Sequence, residues 1–333
     1  MANAHGKKSV TAALIGNTFV TIIKTVVFFV TGSASMFAES IHSLADTLNQ
    51  SLLLIGLKRS KRPADRLHGY GYGIERFFWS LISACGILFI GSGITVYHSI
   101  ESLLHTVDAE QSFSVISFIV LIVAFIIEGI TLWVALKELR RGRKFSRNIF
   151  KDADPVLLAI VYEDGAAVLG VIVALLAGWI TYTTGNTAYD AIGGIIVGLI
   201  LGFLAITLII KNYQYIIGKS LREEVTQEII EVLEQDPCIE KVIEFKSVAV
   251  DIGKYRIFAT VEWNGSPLYK EIYETGDLQE EFTNIKDDFS EFAKLMFKTT
   301  DRIPRLLGSH IDTVEKHITK KFPQIAYVDL EIN

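Results

Sequence analysis

The chain has 333 residues, half of them hydrophobic, and a mean hydropathy of +0.37, values that exclude an ordinary soluble globule and point to a membrane protein. Its net charge of −5 conceals a split, because residues 219–333 hold 15 Lys+Arg against 23 Asp+Glu, a net of −8, leaving +3 for the rest. With only Cys85, in an apolar run, and Cys238, in the polar half, neither a disulfide framework nor a thiolate metal cluster can be built.

The first residues, Met1 to Lys8, carry neither a signal-peptide cleavage site nor an Arg/Ser-rich amphipathic stretch. This predicts a retained first span in a bacterial cytoplasmic membrane rather than an organelle. Six apolar runs of spanning length, about 20 residues each, cover roughly 9–31, 35–57, 76–104, 112–138, 155–180 and 187–217. Lys7 and Lys8, the 58–66 loop and the 137–151 loop are basic, whereas the links at 32–34, 106–112 and 181–187 contain no Lys or Arg. The positive-inside rule therefore predicts six transmembrane helices with both termini cytoplasmic. The basic loops report topology, not nucleic-acid binding.

Residues 1–217 are thus read as a six-span domain and 218–333 as a cytoplasmic α+β domain, an open-faced sandwich. In the second, 221–235 has helical apolar spacing at Val225, Ile229, Ile230 and Leu233. Strands are predicted at 238–247 and 253–263, where Tyr255, Ile257, Ala259 and Val261 alternate with polar residues, and again at 325–332. Asn264-Gly265 reads as a turn. A polar, mostly helical insertion follows at about 266–304, then a helix near 305–321 on which His310 and His317 read as surface residues.

Chemistry concentrates on the second run. Glu39, His42, Asp46 and Asn49 or Gln50 recur at i, i+3, i+7 and i+10 or i+11, on one face of a helix. Ionisable groups at the centre of a bilayer cost roughly 2.5–3.5 kcal/mol each on insertion scales. One use of such a stripe is hydrogen bonding between helices; a second is metal ligation, since imidazole and carboxylate four residues apart reach one divalent ion. The fifth run supplies adjacent carboxylates, Glu163 and Asp164, at matching depth: about 8–9 residues in from the inner side, against about 7–11 from the outer side for His42 and Asp46. A shared cation would balance their charge. Glu128 stands in the fourth run without an evident partner, and Asn17, Lys24 and Asp190 read as packing or interfacial residues.

The six runs, the His42-x-x-x-Asp46 pair, the fifth-run carboxylates and the α+β tail together resemble the cation diffusion facilitator family, over nearly the whole chain. The stretches Ala38-Glu-Ser-Ile-His-Ser-Leu-Ala-Asp-Thr-Leu-Asn-Gln50, His68-Gly-Tyr-Gly-Tyr72, Val161-Tyr-Glu-Asp-Gly-Ala-Ala-Val-Leu-Gly170 and Tyr327-Val-Asp-Leu-Glu-Ile332 are similar to its zinc transporter 9-like branch. The resemblance implies a metallochaperone-like tail, a homodimer, and a metal site built from His42, Asp46 and Asp164. Ile160 stands where a fourth ligand is expected, so Glu163, Asn49 or water completes the shell. It also implies export of a divalent cation, Zn²⁺ first and Mn²⁺ or Fe²⁺ as alternatives, in exchange for protons. A non-transporting metal sensor or scaffold is the second alternative. Asp65 and His68 are candidates for a further site, but Tyr72 replaces a second His. The tail's family metal sites do not carry over, Thr260 and Leu330 lying near the expected His positions. No catalytic triad or organic cofactor fingerprint supports an enzyme.

Overall fold

Long apolar runs satisfy their backbone groups internally only as helices when water is excluded, and the first half of the chain is built this way. The computed structural model describes residues 2–104, 115–141, 155–273 and 288–333, with 282, 283 and 285 between them; within this, the side chains of 2–16, 138–141, 155–160, 269 and 271–273 stand outside the description. Two units are formed, Met1–Ile216 and Ile217–Asn333.

The first unit contains α1 (Ala2–Thr31), α2 (Ala34–Ser60), α3 (Glu75–Gly86), α4 (Gly93–Leu104), α5 (Val115–Arg141), α6 (Pro155–Thr184) and α7 (Ala188–Ile216). A π-helical turn, Ile87–Ser92, joins α3 to α4 without breaking the run. Among the described residues, four segments are long and apolar enough to cross a membrane: Glu75–Leu104, Val115–Lys137, Val161–Thr184 and Ala188–Ile216. In α1 the described apolar stretch is Asn17–Thr31, and α2 is diluted by its polar stripe and by Lys58 and Arg59 in its last turn. The protein is therefore of a helical membrane type.

Small residues let these helices approach. On α7, Gly194, Gly198 and Gly202 recur every fourth residue, and a methyl group on them would collide with Ser99, Val96 and Ser92 respectively. The Ser92 hydroxyl donates to the Gly198 carbonyl at 2.7 Å. The tight link between α1 and α2 depends on Gly32, whose φ of 66° lies in the left-handed region, and on Ser33, whose Oγ accepts the Met36 N–H and starts α2.

In the second unit the order is α8 (Glu223–Glu234), β1 (Ile239–Asp251), β2 (Lys254–Trp263), α9 (Gly265–Tyr273), α10 (Phe289–Lys321) and β3 (Ile325–Ile332). The sheet order is β1-β2-β3, with β1 antiparallel and β3 parallel to the central strand. The expected alternation holds: Ile257, Ala259 and Val261 are buried on one face of β2, against Ile229 and Leu233 of α8 and Val314 and Ile318 of α10. The other face is more polar, with Arg256 paired to Asp329 at 2.6 Å and Lys246 over the ring of Phe258. Helices on one face only make an open sandwich.

Two local expectations fail. Asn264-Gly265 opens α9, where the Asn264 Oδ1 accepts the Ser266 N–H at 3.0 Å as a cap. The supposed insertion and the following helix are not separate from 289 onward, because α10 runs for 33 residues with Pro304 inside it. A prolyl ring removes one helix hydrogen bond; here the carbonyl left over, that of Thr300, sits on an exposed turn where water can take it. Asp288 caps the start by accepting the Ser290 N–H, and Arg305 pairs with Asp301 across the proline.

Ile318→Ala should cost the second unit about 2–5 kcal/mol, the range for a fully buried aliphatic truncation. Amide hydrogen exchange along β2 in the intact protein is the readout, and unchanged protection would overturn this assignment of the core.

Candidate metal centre

Once Ser33 has fixed the start of α2, its helical period carries Glu39, His42, Asp46 and Asn49 along one inward face. Glu39, His42 and Asn49 are buried, while the Asp46 side chain keeps about a third of its exposure. His42 Nε2 lies 3.4 Å from Asp46 Oδ2 and has no hydrogen-bond partner among the described residues. Asp46 then opens into a cavity of about 150 Å³ whose wall also carries Glu163 and Asp164 of α6, Glu128 of α5, Gln50 of α2 and Asn17 of α1. Water fills roughly 30 Å³ per molecule in the liquid, so an ion with part of its hydration shell fits.

Three of the expected ligands, Asp46, Glu163 and Asp164, line this cavity; His42 is not among its lining residues and is tied to it through Asp46. The Asn49 Nδ2 donates to Glu163 Oε1 at 2.9 Å, which leaves its Oδ1 as the atom that could ligate. The bond orients Glu163 and leaves the second oxygen of that carboxylate for other partners. Ile160 lies one helical turn before Asp164 on α6, with its side chain outside the described residues. Four carboxylates on one small cavity repel one another, and one imidazole with several oxygens is a donor set suited to a divalent cation.

A second charged cluster was missed from the sequence. Lys24 is fully buried and donates to Glu39 Oε2 at 2.9 Å and to Glu128 Oε1 at 3.1 Å, joining α1, α2 and α5. Glu128 thus has a partner that the sequence did not reveal, and the packing role read for Lys24 takes the form of a buried ion-pair bridge between three helices. The signal was available, since a lysine in an apolar run demands a carboxylate at its own depth. Glu39 Oε1 faces the bare Cα of Gly170 on α6, where a methyl group would come within 2.9 Å of it. Asn17, also read as packing, lines the cavity.

Asp190 has a structural task. Its carboxylate accepts from the Ser33 hydroxyl at 3.0 Å, from the Ser35 hydroxyl and from the Ser35 N–H at 3.3 Å, so the start of α7 caps the start of α2. Asp65 is likewise occupied. The Tyr72 hydroxyl donates to its Oδ2 at 2.7 Å, and the His68 and Leu67 N–H groups donate to its Oδ1. These bonds, the Tyr72 one foremost, hold the Asp65 carboxyl below its ordinary pKa. In this loop Asp65 and His68 build a turn. A larger groove of about 780 Å³ between α6 and α7 is walled mostly by apolar side chains; among the described residues its polar groups are Tyr162, Thr207 and Lys211, and none is a carboxylate.

Comparison with known proteins gives consistent matches. A family model described as the cation efflux transmembrane domain matches residues 10–217. The chain is 36% identical over 332 residues to the mitochondrial proton-coupled zinc antiporter SLC30A9 of Homo sapiens, covering 98% of this chain and 58% of that protein. It is 34% identical to metal tolerance protein C4 of Arabidopsis thaliana, over 98% of this chain and 73% of that protein. Magnetosome protein MamB of Magnetospirillum gryphiswaldense is 23% identical over 67% of the chain. The chain thus spans somewhat more than half the length of the human antiporter.

Lys24→Met would leave Glu39 and Glu128 buried without their cation. Breaking one side of a buried ion pair costs about 3–5 kcal/mol, and Lys24→Met/Glu39→Gln should recover part of it. Thermal unfolding in detergent measures both. An unchanged midpoint for the single variant would show that the cluster carries no stabilising load.

Proposed function

Because the chain belongs to the cation efflux family, we propose that it is a secondary transporter that exports a divalent cation, Zn²⁺ foremost, in exchange for protons. The observation that carries this reading is the convergence of Asp46, Glu163 and Asp164 on one cavity, with His42 3.4 Å from Asp46. Zn²⁺ is the cargo. Its ligands in this reading are His42, Asp46 and Asp164, and Glu163, steered by Asn49, completes the shell from the same turn of α6. Imidazole and carboxylate bind metal only in their deprotonated forms, so loading expels protons and re-protonation from the far side ejects the metal.

The proposal includes α1 and α2 as spans, which makes six. The basic residues that end α2, Lys58 and Arg59, then lie on the cytoplasmic side, together with both termini and the α+β unit. Alternating access would tilt α2 and α6 against their neighbours around the site. The homodimer implied by the family resemblance belongs to the same reading. The names of the human and Arabidopsis relatives, a zinc antiporter and a metal tolerance protein, support metal as the substrate. The oxygen-rich donor set favours Mn²⁺ or Fe²⁺ as the next candidates.

In proteoliposomes with an opposing proton gradient, Zn²⁺ uptake should be stimulated by the gradient and collapse with a protonophore. Asp46→Ala/Asp164→Ala should abolish it, and persistent uptake would overturn the site. Asn49→Ala, which frees Glu163, should weaken apparent Zn²⁺ affinity by roughly 10–100-fold, the usual effect of losing an orienting partner. Competition among Zn²⁺, Mn²⁺ and Fe²⁺ in the same vesicles ranks the cargo.

A further inference from the structure

The second unit contains a cluster of donors that the transport reading does not use. Asp236, Cys238 and His310 each bring one ligand atom to a common point, all within 4.8 Å of one another. They come from two parts of the chain. Asp236 and Cys238 flank Pro237 in the short turn between α8 and β1, where the fixed prolyl φ limits how far the two can swing apart. Cys238 is pinned through both backbone groups: its N–H donates to Asp236 Oδ1 at 2.9 Å, and its carbonyl accepts the Asn264 N–H at 2.8 Å.

His310 reaches the same point from α10. It lies four and eight residues before Val314 and Ile318, the two α10 residues buried in the core, so all three share the inward face. The surface assignment expected for His310 is therefore corrected, whereas His317 is exposed. His310 Nε2 is 2.9 Å from Asp236 Oδ1, and its ring stands edge-on to Trp263, whose buried Nε1 has no hydrogen-bond partner among the described residues. Cys238 is buried, and Asp236 and His310 each keep about a quarter of their side-chain exposure, which gives an ion a way in.

We propose that Asp236, Cys238 and His310 form a second metal site, for a borderline-soft divalent cation of the Zn²⁺ class. The donor types decide the class: one thiolate, one imidazole and one carboxylate are zinc ligands, and a hard cation such as Mg²⁺ has no use for the sulfur. Zinc–ligand bonds of about 2.0–2.3 Å at tetrahedral angles separate neighbouring donors by about 3.3–3.6 Å. The present spacings, 2.9 Å between His310 Nε2 and Asp236 Oδ1 and none above 4.8 Å, bracket that range. On binding, the thiol gives up its proton, and the imidazole carries its own on Nδ1 so that Nε2 can ligate. Thiolate and carboxylate then balance the +2 charge, and water takes the fourth position. The ion would fasten the α8–β1 turn to α10 and so stabilise the second unit in proportion to the metal concentration around it.

The test uses the full chain in detergent with Cys85→Ser, which leaves Cys238 as the sole thiol. Co²⁺ should produce a near-ultraviolet thiolate-to-cobalt charge-transfer band, and Zn²⁺ should displace it. No sulfur lines the transport cavity, so the band should survive Asp46→Ala/Asp164→Ala, which separates this proposal from the transport reading. It should vanish in Cys238→Ser, and Co²⁺ affinity should fall at least roughly 10-fold in His310→Ala. Asp236→Asn, a near-isosteric change, keeps the comparison valid if Cys238→Ser fails to fold. Absence of the band in the Cys85→Ser protein, or unaltered affinity in both His310→Ala and Asp236→Asn, overturns the site.

Discussion

Charge balance inside an apolar bundle is the constraint on which the helical unit depends. Glu39, Asp46, Glu128, Glu163 and Asp164 stand on helices otherwise made of Leu, Ile, Val, Ala and Gly, and Lys24 is the cation that pairs with two of them. One lysine neutralises Glu39 and Glu128 only in part, and it does nothing for the pair on α6. Lys211 of α7 also acts electrostatically on Glu163, but two lysines do not balance five carboxylates, and unbalanced carboxylates in a poorly hydrated setting are unstable as charges, so the bundle needs a further positive charge. Protons or a divalent ion can supply it. An exchange of one for the other is therefore a natural consequence of the arrangement.

The rest of the helical unit keeps those groups in register. Asp190 ties the first turn of α7 to the first turn of α2, and the glycine row of α7 brings the π-helical turn and α4 into close contact. Gly170 leaves room for the Glu39 carboxylate beside α6. None of these residues lines the cavity, yet Asp190, Gly170 and Gly194 abut α2 and limit how it can rotate, and a small rotation of α2 would carry His42 and Asp46 away from α6.

Much of this was legible in the residues themselves. His42, Asp46 and Glu163-Asp164 stood out because polar periodicity in an apolar run has few explanations, and matched depth predicted their convergence. The partners of Lys24 and Asp190 were not legible, because helix-to-helix pairing depends on which faces the bundle brings together. Asn49 was read as a possible ligand because its position on the stripe was right; its bond to Glu163 requires knowing the rotation of α6. In the second unit the alternation in β2 was readable, whereas the boundary expected near 304/305 falls inside the continuous α10. The His310 error was avoidable: its spacing from Val314 and Ile318 already placed it on the inward face.

The parallel pairing of β3 with β2 bears on biogenesis. A hairpin can zip up as soon as its second strand is made, and β1 with β2 is such a hairpin. The edge of β2 that receives β3 stays open until α9, the following segment and the whole of α10 have been synthesised, because β3 is reached only through that crossover. Contacts between chain segments so far apart form slowly. The helical unit can thus enter the membrane while the ribosome is still translating the sheet, and Ile325–Ile332 acts as the latch that closes the second unit last.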